Sequence, residues 1–329
     1  MSQWTEWANN LNALCQGYKR PADCFAMLTD NELCFLEQYG RYSYTGAGKI
    51  VDLGCWLGGS TMALARGVAE SPLEKRKTRR RPIDAFDTFV WEDWMTPIAR
   101  LLDVPKQYAS GEDYLEDVEV FLRSHEGMIR LRRQNLLDEP DFRDVIEFLF
   151  IDAMRSWPLA NAIQRVFFPR LIPERSLMVQ QDFGYHHPIV ATAHVMMWRL
   201  RDAFEPVYHV PTSCSVVFFH RRPLIRRELP TLDPERLTVE QVHEIWEYSL
   251  HCISRDMWGP VLLCKVLFMI ECGWEEEAQA EAARIVGQGY RYQGAALADA
   301  RAVIDQRLSI WPPNTTKSRA LEETATRLG

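Results

Sequence analysis

The chain has 329 residues, of which 25% are charged and 47% hydrophobic, and a formal net charge of -7. That length suits one large α/β domain with a smaller appendage, and the acidic balance argues against a nucleic-acid binder. No uncharged apolar run reaches the ~18 residues of a membrane-spanning helix, so no membrane partner is expected.

Residues 1–45 read as an N-terminal helical segment. Met1 to Gln16 is polar and lacks the apolar centre of a secretory leader, which predicts a cytoplasmic protein. Thr29-Asp30-Asn31-Glu32 is a helix cap ahead of Leu33, Leu36 and Tyr39. The eight cysteines include no Cys-x-x-Cys pair and predict reduced, mostly buried thiols. After the turn-rich stretch Tyr42 to Gly48, strand and helix alternate to about residue 222. Strands are expected at 50–53, 82–87, 128–131, 146–152 and 177–182. Helices are expected at 60–68, 113–124, 157–168 and 188–203. Pro206–Val210 and Ser215–Phe219 close the pattern as an antiparallel pair. The basic run Lys75–Arg81 reads as a loop. The alternation predicts a Rossmann-like, doubly wound, mostly parallel sheet over residues 46–225. Residues 235–312 lose the strand pattern and read as four helices (237–253, 258–272, 275–286 and 295–308). One pair is like a degenerate tetratricopeptide unit, and these helical segments offer a surface for a homo-oligomer. Residues 313–329 read as a loose polar tail.

The richest stretch is Lys49-Ile50-Val51-Asp52-Leu53-Gly54-Cys55-Trp56-Leu57-Gly58-Gly59-Ser60-Thr61. A short apolar strand ends in a carboxylate, a glycine turn follows, and a helix begins. Glycine lets a ligand approach the backbone, and a helix N-terminus offers free amides. Asp52, Asp87, Asp152 and Asp182 end four predicted strands. A parallel sheet brings all four to one edge, where unpaired carboxylates repel and a ligand relieves them. A single such Asp reads equally well as a helix cap; four together do not.

This pattern resembles the class I S-adenosylmethionine-dependent methyltransferases, closest to the macrocin-type small-molecule O-methyltransferases. The likeness covers about 49–222. It is carried by the turn above, by Asp87-Thr88-Phe89, by Gln134-Asn135-Leu136, by Ile151-Asp152-Ala153-Met154-Arg155-Ser156-Trp157, and by Leu171 to Phe183. The resemblance implies an enzyme that transfers a methyl group from S-adenosylmethionine to a hydroxyl of a small molecule. It implies cofactor contacts from Asp52, Gly54, Trp56, Gly58, Ser60, Thr61, Asp87, Thr88, Phe89, Asn135, Leu136 and Asp152. His186 is the expected base, with Asp182 second and Asp152 facing the acceptor. Magnesium on Asp152 and Asp182 is a second cofactor that it admits. Three departures stand out: Trp56 replaces the usual middle glycine, Arg155 stands where a His often sits, and Gln181 replaces a second Asp. Trp91, Trp94 and Met95 read either as pocket wall or as packing. Two other classes remain open: a non-catalytic S-adenosylmethionine-binding protein that docks a partner, and a nicotinamide-dependent oxidoreductase. Against the latter, the glycine spacing does not fit Gly-x-Gly-x-x-Gly.

Overall fold

A computed structural model describes residues 3–72, 81–292 and 295–296. Its centre is a seven-stranded sheet in the order β3-β2-β1-β4-β5-β7-β6. The strands are β1 (Lys49–Leu53), β2 (Ile83–Asp87), β3 (Ile129–Arg133), β4 (Ile146–Ile151), β5 (Leu177–Gln180), β6 (Phe204–His209) and β7 (Val216–His220). The first five pair in parallel, and β7 is antiparallel to both β5 and β6. Strands β1, β4, β5 and β7 are buried at every residue, as mostly apolar strands are when both sheet faces are covered. The sheet is Rossmann-like. From β1 the chain winds outward through β2 and β3, then returns to place β4 on β1's other side. The topological switch therefore lies between β1 and β4, where such sheets bind their ligands.

Helices α1 (Gln3–Cys15), α2 (Asp30–Gln38) and α3 (Gly59–Ala69) pack on one face with α5 (Leu115–Phe121); α4 (Met95–Leu101) lies after β2. The expected cap at Thr29 is a full capping box: the Glu32 amide donates to the Thr29 hydroxyl at 3.2 Å, and Glu32 Oε2 accepts the Thr29 amide at 2.7 Å. Helices α6 (Trp157–Phe167) and α7 (Ala191–Arg199) cover the other face. Helices α8 (Val239–Cys252), α9 (Trp258–Glu271) and α10 (Glu275–Gly287) extend the same apolar cluster. In that cluster Trp246 and Phe268 stack at 5.4 Å. Helix α9 is buried without a break from Gly259 to Ile270, and that run includes Lys265. Lys265 Nζ donates to Glu281 Oε1 at 2.6 Å and to His243 Nδ1 at 2.8 Å, so the buried charge is paired.

Several expectations are corrected. Cys15 and Cys34 form a disulfide with Cα atoms 5.6 Å apart, against the reading of all thiols as reduced. Packing of α1 on α2 brings the pair together, and no spacing motif signals it. Of the six free cysteines, five are buried. The helix expected over 188–203 divides into a 3-10 turn, Pro188–Val190, and the shorter α7. The chain then reverses, with the Ala203 and Phe204 amides donating to the Leu200 carbonyl, and enters β6 early. Helix α4 lies where the residues predict no element. The helix expected from Ala295 begins instead as β9 (Ala295–Ala296), paired with β8 (Arg291–Tyr292), after Gly289 at φ +73° has turned the chain out of α10. The rest of that segment, the tail and Lys75–Arg80 of the basic run lie outside the described residues. Among the described residues, no helix is long and apolar enough to cross a membrane.

Candidate functional site

Register explains which strand-end acids meet. Leu53 is level with Phe86 on β2 and with Ile151 on β4, so one step further Gly54 is level with Asp87 and Asp152. Asp52 lies two residues deeper in the sheet, and Asp182 lies one residue beyond the row. At the centre of the row the backbones of β1 and β4 nearly touch. Gly54 has φ +85°, and a Cβ there would stand 2.4 Å from the Asp152 carbonyl oxygen. No other residue fits that position. Gly58, also left-handed at φ +84°, caps α3, and a Cβ there would press on Leu122 at 2.9 Å.

Asp87 is the best-held group at this edge. Its Oδ2 accepts the Trp56 amide at 2.9 Å; its Oδ1 accepts the Phe89 amide and the Tyr114 hydroxyl, each at 3.0 Å. The Thr88 hydroxyl donates to Oδ1 as well, at 3.5 Å, so the carboxylate is oriented by the chain while Oδ2, with one donor, keeps a lone pair for a ligand. Trp56 and Phe89 take up the left-handed conformation (φ 45° and 55°) that aims their amides at it. Trp91 is fully buried and stacks on Tyr108 at 4.3 Å, so it is packing behind the site.

A cavity of about 630 Å³ opens over this row. Gly54, Trp56, Phe86, Asp87 and Thr88, at the ends of β1 and β2, line it, with Gln134, Asn135, Leu136 and Leu137 after β3. Asp152, Ala153, Arg155 and Ser156 line it from the β4 end, and Glu92, Trp94, Met95 and Met27 complete the lining with Pro158 and Leu159. The volume suits a cofactor or drug-sized ligand. Asn135 Oδ1 accepts the Leu137 amide at 3.0 Å, fixing the turn that presents Leu136. Met27 had no sequence signal, because its segment has no periodicity. Ser156 had one: it caps α6 ahead of Pro158, accepting the Leu159 amide at 3.3 Å.

The remaining expected contacts are placed elsewhere. Asp52 is fully buried and does not border the cavity. Its Oδ2 accepts the Ser60 hydroxyl at 2.7 Å and the Thr61 hydroxyl at 2.5 Å, so these three residues anchor α3 on β1. Gly58 and Phe89 likewise support the wall from behind. Burial pushes the Asp52 carboxyl up to about 6, with the two hydroxyls opposing. The unfolded chain releases this proton near pH 4 and the folded chain near 6. Between those values the folded state binds more protons, so Asp52 costs stability as pH rises, about 3 kcal/mol in all. Asp52→Asn should flatten the fall in stability between pH 4 and 6 by that amount, as read by urea unfolding at each pH; an unchanged slope would show that Asp52 ionises freely.

At the β4 end, Arg155 Nη2 lies 3.5 Å from Asp152 Oδ1 and 3.8 Å from Asp182 Oδ2. Its guanidinium carbon sits 5.1 Å over the Trp94 ring. Burial, and then Asp182, push the Asp152 carboxyl well above the carboxylate range; burial raises Asp182 too, with Arg155 opposing. His186 is outside the cavity lining and packs edge-on against Tyr185 at 4.5 Å; burial lowers its pKa. His187 caps the 188–190 turn through Nδ1, 3.2 Å from the Ile189 amide. The magnesium expectation does not fit. Among the described residues no group of three or more His, Cys, Asp or Glu is arranged to hold a metal, and the cation beside Asp152 and Asp182 is Arg155.

No family model matches the chain, and no curated protein matches it. Solved structures do align with it. CalS11, described as a calicheamicin methyltransferase, aligns at 16% identity over 67% of this chain and 93% of its own, with a TM-score of 0.40. An apo structure of CalS11, described as a TDP-rhamnose 3'-O-methyltransferase, gives 17% identity, 67% and 95% coverage, and 0.40. An O-methyltransferase family protein from Burkholderia thailandensis gives 12% identity, 67% and 69% coverage, and 0.30.

Proposed function

We propose that this chain is an S-adenosylmethionine-dependent methyltransferase that acts on a hydroxyl of a small molecule. One observation carries the reading: Asp87, Gly54 and Asp152 stand in one row across the switch point, beneath a cavity that Leu136 and Asn135 complete. The residues suit the cofactor. Asp87 Oδ2 carries a single donor and so keeps a lone pair for a ribose hydroxyl, Leu136 offers an apolar surface to a purine, and Gly54 lets β1 and β4 close together at the switch point. The cavity rim carries Asp87, Glu92 and Asp152 against Arg155, a balance that favours a cationic ligand.

When bound, the cofactor supplies an electrophilic methyl group on a sulfonium. The chain's part is to align the acceptor and remove its proton. Of the three acid–base candidates only Asp152 borders the cavity, so in this reading it takes the place expected of His186. With its carboxyl raised by burial, Asp152 is a stronger base than an exposed aspartate once ionised.

Calorimetric titration with S-adenosylhomocysteine tests the reading. The wild-type protein should bind it, and Asp87→Asn, which keeps the shape but loses the charge, should weaken binding roughly tenfold or more. A well-folded wild-type protein that binds no S-adenosylhomocysteine would overturn the assignment. Tight binding of a reduced nicotinamide in its place would favour the oxidoreductase class.

A further inference from the structure

Among the described residues Arg155 is the one cation in the cavity wall, and much of its guanidinium is unused there. Only Nη2 is engaged by the two aspartates; Nε and Nη1 make no hydrogen bond among the described residues. The ring of Trp94 beneath the guanidinium holds its plane at the cavity. Asp152 Oδ1 and Asp182 Oδ2 share the same nitrogen, which stands where a cation must lie to neutralise both. A magnesium ion there would need several oxygens at about 2.1 Å and would sit within a few ångströms of the guanidinium, a costly approach of like charges. Glu32 is committed, its Oε1 accepting the Ser215 hydroxyl at 2.6 Å and its Oε2 the Thr29 amide, and Gln181 Oε1, which has no hydrogen-bond partner, brings no charge to help hold a divalent ion.

We propose that Arg155 is the resident cation of this site, holding with Asp152 and Asp182 the place a divalent metal would take and presenting its open N–H groups to the acceptor hydroxyl. This rests on the methyltransferase reading. The guanidinium carries a fixed charge at every working pH and needs no metal to be loaded. Aimed at the acceptor oxygen, it stabilises the negative charge that develops as the proton leaves for Asp152. The site is thereby suited to an acceptor that offers a lone hydroxyl, since no metal demands a chelating pair of oxygens.

The experiment is a manganese titration of the full chain saturated with S-adenosylhomocysteine, read from the electron paramagnetic resonance signal of free Mn2+. Wild-type protein should leave millimolar Mn2+ free. Arg155→Ala should gain Mn2+ affinity by at least roughly tenfold, because two carboxylates lose their counter-charge, and adding Asp182→Asn should remove the gain. Arg155→Gln, which preserves bulk over Trp94, should behave in the same way and serves if the alanine variant folds poorly. Wild-type protein that binds Mn2+, with loss of that binding in Asp152→Asn, would overturn the proposal. So would a folded Arg155 variant that gains none. The calorimetric titration of the wild-type protein with S-adenosylhomocysteine stands apart: its failure would sink the methyltransferase reading, whatever the Mn2+ result.

Discussion

Gly54→Ala should lose S-adenosylhomocysteine binding by a hundredfold or more while the protein keeps its helical circular dichroism. Two costs combine. An alanine at φ +85° pays about 1–2 kcal/mol for the left-handed conformation. Its Cβ would also stand 2.4 Å from the Asp152 carbonyl oxygen, so β1 and β4 must part at the switch point. A packed sheet has little room to yield there, and the row of Asp87, Gly54 and Asp152 would lose its level. Calorimetry reads the affinity, and a thermal melt separates local displacement from global loss. Undiminished affinity in Gly54→Ala would show that the ligand does not lie over this turn.

Glu281→Ala carries the largest expected loss of stability, about 3–5 kcal/mol, because it strands Lys265 without a counter-charge inside the α8–α10 packing. Both side chains are nearly fully buried (4% and 3% exposed), and His243, itself pushed toward the neutral form by burial, cannot take the charge over. The double variant Glu281→Ala with Lys265→Met should recover most of the loss, since it removes both charges together. Urea unfolding followed by tryptophan fluorescence measures both. The pair also sets an acid limit. Burial raises the Glu281 carboxyl, but Arg284 and Lys265 outweigh it and hold it down at about 2. With the unfolded value near 4.5, its contribution is fully present above that pH and is lost as pH falls toward 2. A single variant as stable as wild type would mean that water reaches Lys265.

Much of the sheet is legible in the residues because its central strands are short, mostly apolar runs bounded by glycine and charge. Ile146 to Ile151 allows no other reading, and the closing antiparallel pair follows from two short β-branched and aromatic runs. Thr29 with Glu32, and the glycine turn, announce themselves by local chemistry. What does not show in the residues is register. Asp52, Asp87, Asp152 and Asp182 look equivalent along the chain, yet pairing sets Asp87 and Asp152 in the row and drops Asp52 two residues below it. The side-chain period of a strand cannot reveal that offset; only its neighbours can. Contributions from distant segments are hidden for the same reason. Met27 reaches the cavity from a stretch with no pattern of its own, and Cys15 finds Cys34 only once α1 lies on α2. Helix α4 escapes notice because it is only seven residues long, lacks a side-chain cap and carries Pro97, although Trp94 and Met95 do face the cavity. Arg155 is visible in the residues only as a departure; its pairing with Asp152 and Asp182 shows only in the structure.

The Trp56, Phe89 and Tyr114 donors on Asp87 have a consequence for how the edge of the sheet moves. They come from the turn after β1, the turn after β2 and the residue that opens α5, so one carboxylate ties together segments that are far apart along the chain. Coupling of this kind is reciprocal. A ligand that gains from the carboxylate being held must, by the same free energy, oppose the opening of all three segments. Amide exchange at Trp56 and Phe89 is thus thermodynamically linked to occupancy of the cavity, and the tightness of one reports on the other.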